Sequence, residues 1–502
     1  MASILLTTLN ARYTHASIAL RCLKANLKEL REAASIREFV INSGVQSIAE
    51  QILEERPKVV GIGVYIWNAS DVSELVGILK KVAPETYVVL GGPEASHLPL
   101  RVDLDAADYI IRGEGEIAFY ELCRDLLSGT PPLHRVIDAP LPKLDAIALP
   151  YDLYDDHDVA HRYIYVESSR GCPFLCEFCL SAIDEKVRYF PLDALLEAFE
   201  TLWRRGVRTF KFIDRTFNLN MRYATALMDF FLAKEPPYFV HFEVIPDHFP
   251  EALRERLVRF PAGSLQLEVG IQTLDAEVAD RINRPLKLDK IRRNLEFLEK
   301  ETSAHLHLDL IVGLPGESLE QFGANLDALC ALSRSEIQIG ILKKLSGTTL
   351  SRHDALHGMV YADTPPYDVL QTEKVSFFDI QRMKRFARFW DLTYNSGNFP
   401  RSVRMLWEGT KVFVPFLAFS DWIYTQTAST HKISLDRMAK LLFDYLSEVR
   451  GLGADAVGSA MADDFGRIEG RKLPPFLRPF ETSRETPGVE LSGLTKRQQR
   501  HQ

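Results

Sequence analysis

What this sequence lacks narrows it first. No apolar run approaches the ~18 residues that would span a bilayer, so no membrane segment is expected. Positive charge is not in excess: 60 Lys and Arg stand against 68 Asp and Glu, a net charge of −8. That balance excludes a global field for nucleic acid or anionic lipid and leaves room only for a local basic groove. Cysteine is scarce, six in 502 residues, too few for a disulfide framework, which points to a reducing compartment. The opening MASILLTTLNAR has no basic leader and suits a buried strand better than a signal peptide, so a cytoplasmic location is expected. Tandem repeats are absent. What remains is an ordinary globular composition, 46% hydrophobic and 25% charged, at a length that predicts roughly three domains.

Short apolar runs at 3–8, 36–41, 58–64, 87–90 and 108–111 alternate with helical patterns at 16–31, 45–55, 70–83 and 115–127. Five βα units predict a doubly wound parallel sheet over 1–128, with its ligand at the carboxyl ends of the strands. Residues 129–160 hold five prolines and read as a docked linker. Strand-like runs resume at 163–167, 208–213, 239–244, 264–270, 305–311 and 336–342. With helical segments between them, six repeats over 161–345 predict a partial (β/α)6 barrel rather than a complete eightfold one. The strand signal then fades, which predicts a mainly helical region over 346–450 and a flexible tail over 451–502.

Three of the six cysteines fall within eight positions: Cys172, Cys176 and Cys179, in a loop directly after the first barrel strand. A structural zinc site closes with four ligands, and no fourth Cys or His follows at finger spacing. Three thiolates instead suit an iron–sulfur cluster with one iron left open. This Cys-x3-Cys-x2-Cys pattern, with Phe178 before the last cysteine and Gly171 before the first, resembles the radical S-adenosylmethionine (SAM) superfamily. The resemblance implies a [4Fe–4S] cluster whose fourth iron is chelated by the amino and carboxylate groups of SAM. It further implies SAM contacts at Asp214 after the second barrel strand and at Glu243 after the third. Gln272 and Arg284 follow in a stretch similar to the cobalamin-dependent and tRNA-modifying branches, and Gly313 lies in the segment that borders adenine. The usual Gly-Gly-Glu text is missing around Asp214.

The N-terminal sheet lacks a dinucleotide fingerprint, because Gly61-Ile-Gly63 has no third glycine at the required spacing and reads as strand interior. Its strand ends carry Asn10 and Tyr13, then Tyr65 and Trp67, then Gly91 and Gly92, and finally Gly113 and Glu114. These segments resemble the cobalamin-binding domain of B12-dependent radical SAM enzymes. No Asp-x-His-x-x-Gly loop is present, so cobalt is expected without a protein histidine ligand, with Tyr65 or Trp67 packing over an axial face.

The whole resemblance is to B12-dependent radical SAM enzymes with an uncharacterised C-terminal domain. It implies reductive cleavage of SAM to a 5′-deoxyadenosyl radical, an electron donor such as flavodoxin or ferredoxin, and methylation of an unactivated carbon of an unknown substrate. Ring-forming and rearranging enzymes share the architecture. A non-catalytic redox or corrinoid sensor is the reading from another class, but it would not need the SAM-facing segments. A methylthiolating tRNA enzyme would need a second cysteine triplet in the N-terminal domain, where only Cys22 and Cys123 occur.

Overall fold

The computed structural model of the chain describes residues 3–97, 100–468 and 470–481. These form two compact units, taken separately below. The first comprises the residues up to Arg215 with Lys343–Ser351 and Tyr361–Asp368; the second comprises the remaining described residues.

The first unit alternates β1 (Ile4–Asn10), α1 (Ile18–Ala25), β2 (Ala34–Val40), α2 (Val45–Glu54), β3 (Val59–Gly63), α3 (Ala69–Val82), β4 (Tyr87–Gly91), β5 (Tyr109–Arg112), α4 (Glu116–Ser128) and β6 (Val136–Asp138). The strands make one parallel sheet in the order β2-β1-β3-β4-β5-β6. β1 is buried along all seven residues because helices cover both its faces. Leu5 and Leu9 pack toward Ile48, Ile52 and Leu75, while Ile4 and Leu6 pack toward Leu20, Phe119 and Leu122. The chain reverses direction across the sheet between β1 and β3, which opens a crevice at their carboxyl ends. Gly61 lies inside β3, where a Cβ would come within 2.9 Å of Leu6 and Phe119.

The expected linker is part of this unit rather than a connection outside it. Its Val136–Asp138 run pairs with β5 as an edge strand, too short for a periodicity to show and flanked by the prolines an edge tolerates. It also carries α5 (Asp156–His161), closed by a capping box from Asp155. Buried Arg21 reaches both Glu38 and Asp158, and Arg162 joins the same carboxylates, so the segment is clamped onto α1 and β2. β7 (Ile164–Val166), β8 (Ser169–Arg170), β9 (Arg188–Tyr189), α6 (Leu192–Arg204) and β10 (Thr209–Phe212) complete the first unit's main elements. β10 runs parallel to β7.

The second unit continues with α7 (Met221–Leu232), β11 (Phe239–Val244), α8 (Glu251–Leu257), β12 (Leu265–Gln272), α9 (Ala276–Arg281), α10 (Leu288–Glu301), β13 (His305–Val312), α11 (Leu319–Leu332) and β14 (Glu336–Ile341). β11 to β14 are parallel neighbours in sequence order. In β12, Leu265, Leu267, Val269 and Ile271 are buried, and in β13 Leu306, Leu308, Leu310 and Val312. The alternation leaves Gln266, Glu268, His307 and Asp309 together on the opposite, polar face.

α12 (Phe377–Thr393), α13 (Phe413–Thr427), α14 (Leu435–Asp444) and α15 (Ala454–Gly466) follow. Trp390 and Phe386 are fully buried and stack, and Phe416 packs edge-on to both, so these aromatics are core. Asn395 closes the β14 edge with two bonds to the Ile337 backbone, accepting from its N–H at 2.9 Å and donating to its carbonyl at 2.8 Å. The expected tail is a correction in part. α15 buries Val457, Met461 and Phe465, and buried Asp464 accepts from the backbone of Arg401 and Ser402. The Gly and Ala content that suggested flexibility is close packing instead: a Cβ on Gly458 would fall 2.3 Å from the Phe480 ring. Residues 482–502 lie outside the described residues. Among the described residues no helix is long and apolar enough to cross a membrane.

Candidate cofactor sites

In the first unit a cavity of about 330 Å³ lies at the carboxyl ends of β3, β4 and β5, against α1. Its wall is mostly apolar, with Tyr65, Gly91, Gly92, Gly113 and Glu114 among the lining residues. Gly92 has φ +103°, and a Cβ there would meet the Val64 carbonyl at 2.6 Å, so only glycine lets the chain turn at this rim. The volume takes a nucleotide-sized group rather than a whole corrin ring, and suits the tail of such a cofactor.

Three residues expected at this ligand, Asn10, Tyr13 and Trp67, do not line the cavity. Asn10 donates to the His15 carbonyl and to Glu38, holding the turn after β1. Tyr13 is exposed, with its hydroxyl on His157 and Arg162 over its ring. Trp67 donates its indole N–H to the Leu9 carbonyl and stacks on Tyr65 at 4.6 Å, but it does not line the cavity.

The polar end of the cavity was not foreseen. Arg170 enters it and pairs with Glu114 at 2.8 Å and with Glu116 and Glu167 at 2.7 Å each. Burial opposes its charge, yet the surrounding carboxylates, Glu167 foremost, hold the guanidinium pKa above its ordinary value. Buried Cys22 stands 3.8 Å from both Arg170 and Glu167, and burial pushes its thiol pKa up, which favours the neutral thiol.

Arg170 immediately precedes the cysteine loop. β8 and β9 close the base of that loop as a two-residue antiparallel ladder, and Cys172 N–H donates to the Asp184 carbonyl at 2.9 Å. Gly171 has φ +91°, and a Cβ there would lie 2.4 Å from the Lys186 carbonyl. Cys172 and Cys176 are buried and Cys179 half-buried, none in a disulfide, with Phe178 half-buried beside them. Three uncrosslinked thiols on one tightly closed loop fit the donor set of a cluster with one open iron.

Asp214 is only 2% exposed and accepts from the Ser168 N–H and from both the Ser168 and Ser169 hydroxyls, the latter two at 2.6 Å. Burial raises its pKa to about 6 against the pull of those bonds. In this arrangement it is a positioning residue that anchors the strand leading into the cysteine loop.

In the second unit, Gln272 and Arg284 stand over Gly270. Arg284 donates to the Gly270 carbonyl at 2.5 Å, and a Cβ on Gly270 would meet the Gln272 amide at 2.8 Å. A bulge between Gly270 and Gln272 lifts the latter to φ +69°. Glu243 and Glu268 are register partners, and Asp309 is the register partner of Gly270 on the next strand. Burial, then Glu268 and Glu243, push the Asp309 carboxyl well above its usual range, with Arg284 opposing. Glu243, Glu268 and Arg284 all act on Asp309, and such a set of carboxylates with one guanidinium suits the amino and carboxylate ends of an amino-acid cofactor. Gly313 is needed for packing as well, since at φ +87° its Cβ would strike Val369 at 2.6 Å.

Comparison with known proteins agrees with these features. Residues 4–123 match the B12 binding domain and residues 166–329 the radical SAM superfamily. The cobalamin-dependent radical SAM methyltransferase TokK of Streptomyces tokunonensis is 26% identical over 344 residues, 59% of this chain and 49% of TokK. The 2-(S-pantetheinyl)-carbapenam-3-carboxylate methyltransferase of Streptantibioticus cattleyicolor is 27% identical over 328 residues, 58% of this chain and 47% of that enzyme. The chain spans about half the length of the curated relatives it matches. In fold it resembles the cobalamin-dependent SAM radical enzyme OxsB with aqua-cobalamin bound, at TM-score 0.64 and 13% identity over 94% of this chain and 85% of OxsB.

The chain carries a B12 binding domain and a radical SAM domain, and these domains imply a [4Fe–4S] cluster, SAM and cobalamin. Its carboxyl-terminal part, residues 355–497, matches a protein family of unknown function, DUF4080.

Proposed function

We propose that this protein is a B12-dependent radical SAM methyltransferase acting on an unactivated carbon. The relatives named as methyltransferases support the reaction class. The observation that carries the reading is Arg170. Arg170, the residue before Gly171 and Cys172, pairs through its guanidinium with Glu114 and Glu116, which line the glycine-bearing cavity. Corrinoid cavity and cluster loop are thereby built into one charged network.

Cys172, Cys176 and Cys179 would hold the cluster, Arg284, Gln272 and Glu243 the SAM, and Tyr65, Gly91, Gly92, Gly113 and Glu114 the cobalamin. When bound, these groups supply reductive SAM cleavage and a transferable methyl. The protein's part is orientation and exclusion of water: Asp214 and Gly171 fix the loop, and Arg170 fixes the cavity wall. The sequence holds no Asp-x-His-x-x-Gly loop, and we infer cobalt binding without a protein imidazole. The electron donor is of the flavodoxin or ferredoxin kind.

The test is turnover with SAM deuterated on its methyl group. Label in the product, with one S-adenosylhomocysteine and one 5′-deoxyadenosine per product, is expected. Product formed with 5′-deoxyadenosine but with neither label nor S-adenosylhomocysteine would replace methylation by ring formation or rearrangement.

A further inference from the structure

The polar face of the second unit's sheet carries a group of side chains that the cofactor chemistry does not use. His305 and His307 stand two residues apart at the start of β13 and therefore project to the same face. Glu336, the first residue of β14, is the register partner of His307, and its side chain is fully buried. His305 Nε2 lies 3.1 Å from His307 Nε2 and 3.0 Å from Glu336 Oε1, and His307 Nε2 lies 3.4 Å from Glu336 Oε2. The group sits at the amino ends of these strands, whereas Gln272 and Gly313 lie at or just beyond the carboxyl ends of theirs.

With Glu336 ionised and the imidazoles neutral, hydrogen bonds hold this triangle only with its ring nitrogens crowded together. Each Nε2 offers either one proton or one lone pair. If both carry protons for the carboxylate, two N–H groups face each other across 3.1 Å; if His305 accepts from His307, its lone pair faces a carboxylate oxygen at 3.0 Å. A cation between the three donors satisfies all of them at once. Zinc bonds of about 2.0–2.1 Å at tetrahedral angles place neighbouring donors about 3.3 Å apart, and the three separations here are 3.0, 3.1 and 3.4 Å.

The surroundings fit the same reading. His307 Nδ1 lies 3.1 Å from the amide groups of both Gln266 and Gln338. An amide turned about its last bond presents its oxygen instead of its nitrogen. Nδ1–H then donates to that oxygen, and the Nε2 lone pair is left free for a metal, the arrangement by which an outer carbonyl fixes a ligating histidine. The imidazole side chains are 15% and 12% exposed, so an ion can reach the site from solvent.

We propose that His305, His307 and Glu336 form a divalent-cation site for zinc, separate from the cluster and corrinoid, that ties β13 to β14. Two imidazoles with one carboxylate match the nitrogen and oxygen preference of zinc and leave a fourth position for water.

The full-length chain, reconstituted with its cluster, is dialysed against micromolar zinc, and bound zinc is counted and examined at its X-ray absorption edge. One zinc per chain with only nitrogen and oxygen neighbours is expected. Glu336→Gln and His307→Ala should each weaken binding at least about 100-fold, since loss of outer partners alone costs 10–100-fold. The Cys172→Ala/Cys176→Ala/Cys179→Ala variant should retain the zinc. Failure to bind zinc would overturn the proposal. So would a shell containing sulfur at about 2.3 Å that disappears with the cysteines and survives Glu336→Gln. If His307→Ala does not fold, the absorption edge of the unaltered chain decides alone.

Discussion

Asp214 shows what a single residue does here that its position in the sequence does not reveal. Its raised pKa has a definite sign in stability. The folded form binds the proton more tightly than the unfolded chain, so its contribution is fully present below about pH 4 and lost as pH rises through about 6. The unfolding free energy of the wild type, relative to Asp214→Asn, should therefore be larger at pH 5 than at pH 7.5, by about 1.4 kcal/mol. Equal differences at both pH values would show that the burial of this carboxylate does not govern it. Arg284→Ala removes a charge-assisted fork, and SAM affinity measured by equilibrium binding should fall by one to two decades, a cost of roughly 1.5–3 kcal/mol. The local spacing of the cysteine loop was legible in the sequence, whereas the contacts that direct Asn10, Tyr13 and Trp67 were not, because Glu38, Arg162 and the Leu9 carbonyl are remote in sequence.

At the scale of elements, apolar periodicity located the long strands and helices, since burial on both faces of a parallel sheet leaves continuous apolar runs. It missed β6, whose three residues carry no period, and α15, whose glycine and alanine content reflects packing against Phe480. The cysteine loop depends on one backbone conformation. In Gly171→Ala a methyl meets the Lys186 carbonyl, so iron content should drop severalfold while bound cobalamin stays unchanged; equal loss of both would indicate general unfolding. Asn395→Ala exposes the reverse dependence, of a strand on a helix end. It leaves the Ile337 N–H without its acceptor, and chemical denaturation should report a loss of about 1–3 kcal/mol.

At the scale of the whole molecule, two cofactor-bearing domains and a DUF4080 domain share one chain. The order of these segments was readable from the sequence. The proline-rich stretch, expected as a linker, is held onto the first unit by the Arg21, Glu38 and Asp158 network, whose partners are remote in sequence. The central claim is that Cys172, Cys176 and Cys179 hold a cluster while the N-terminal cavity independently holds cobalamin. It is tested most directly by measuring iron, sulfide and cobalt in the anaerobically reconstituted chain and in its triple cysteine-to-alanine variant. About four iron, four sulfide and one cobalt per chain are expected, with iron and sulfide lost and cobalt retained in the variant. Iron and sulfide surviving at the original stoichiometry, or cobalt departing with them, would contradict it.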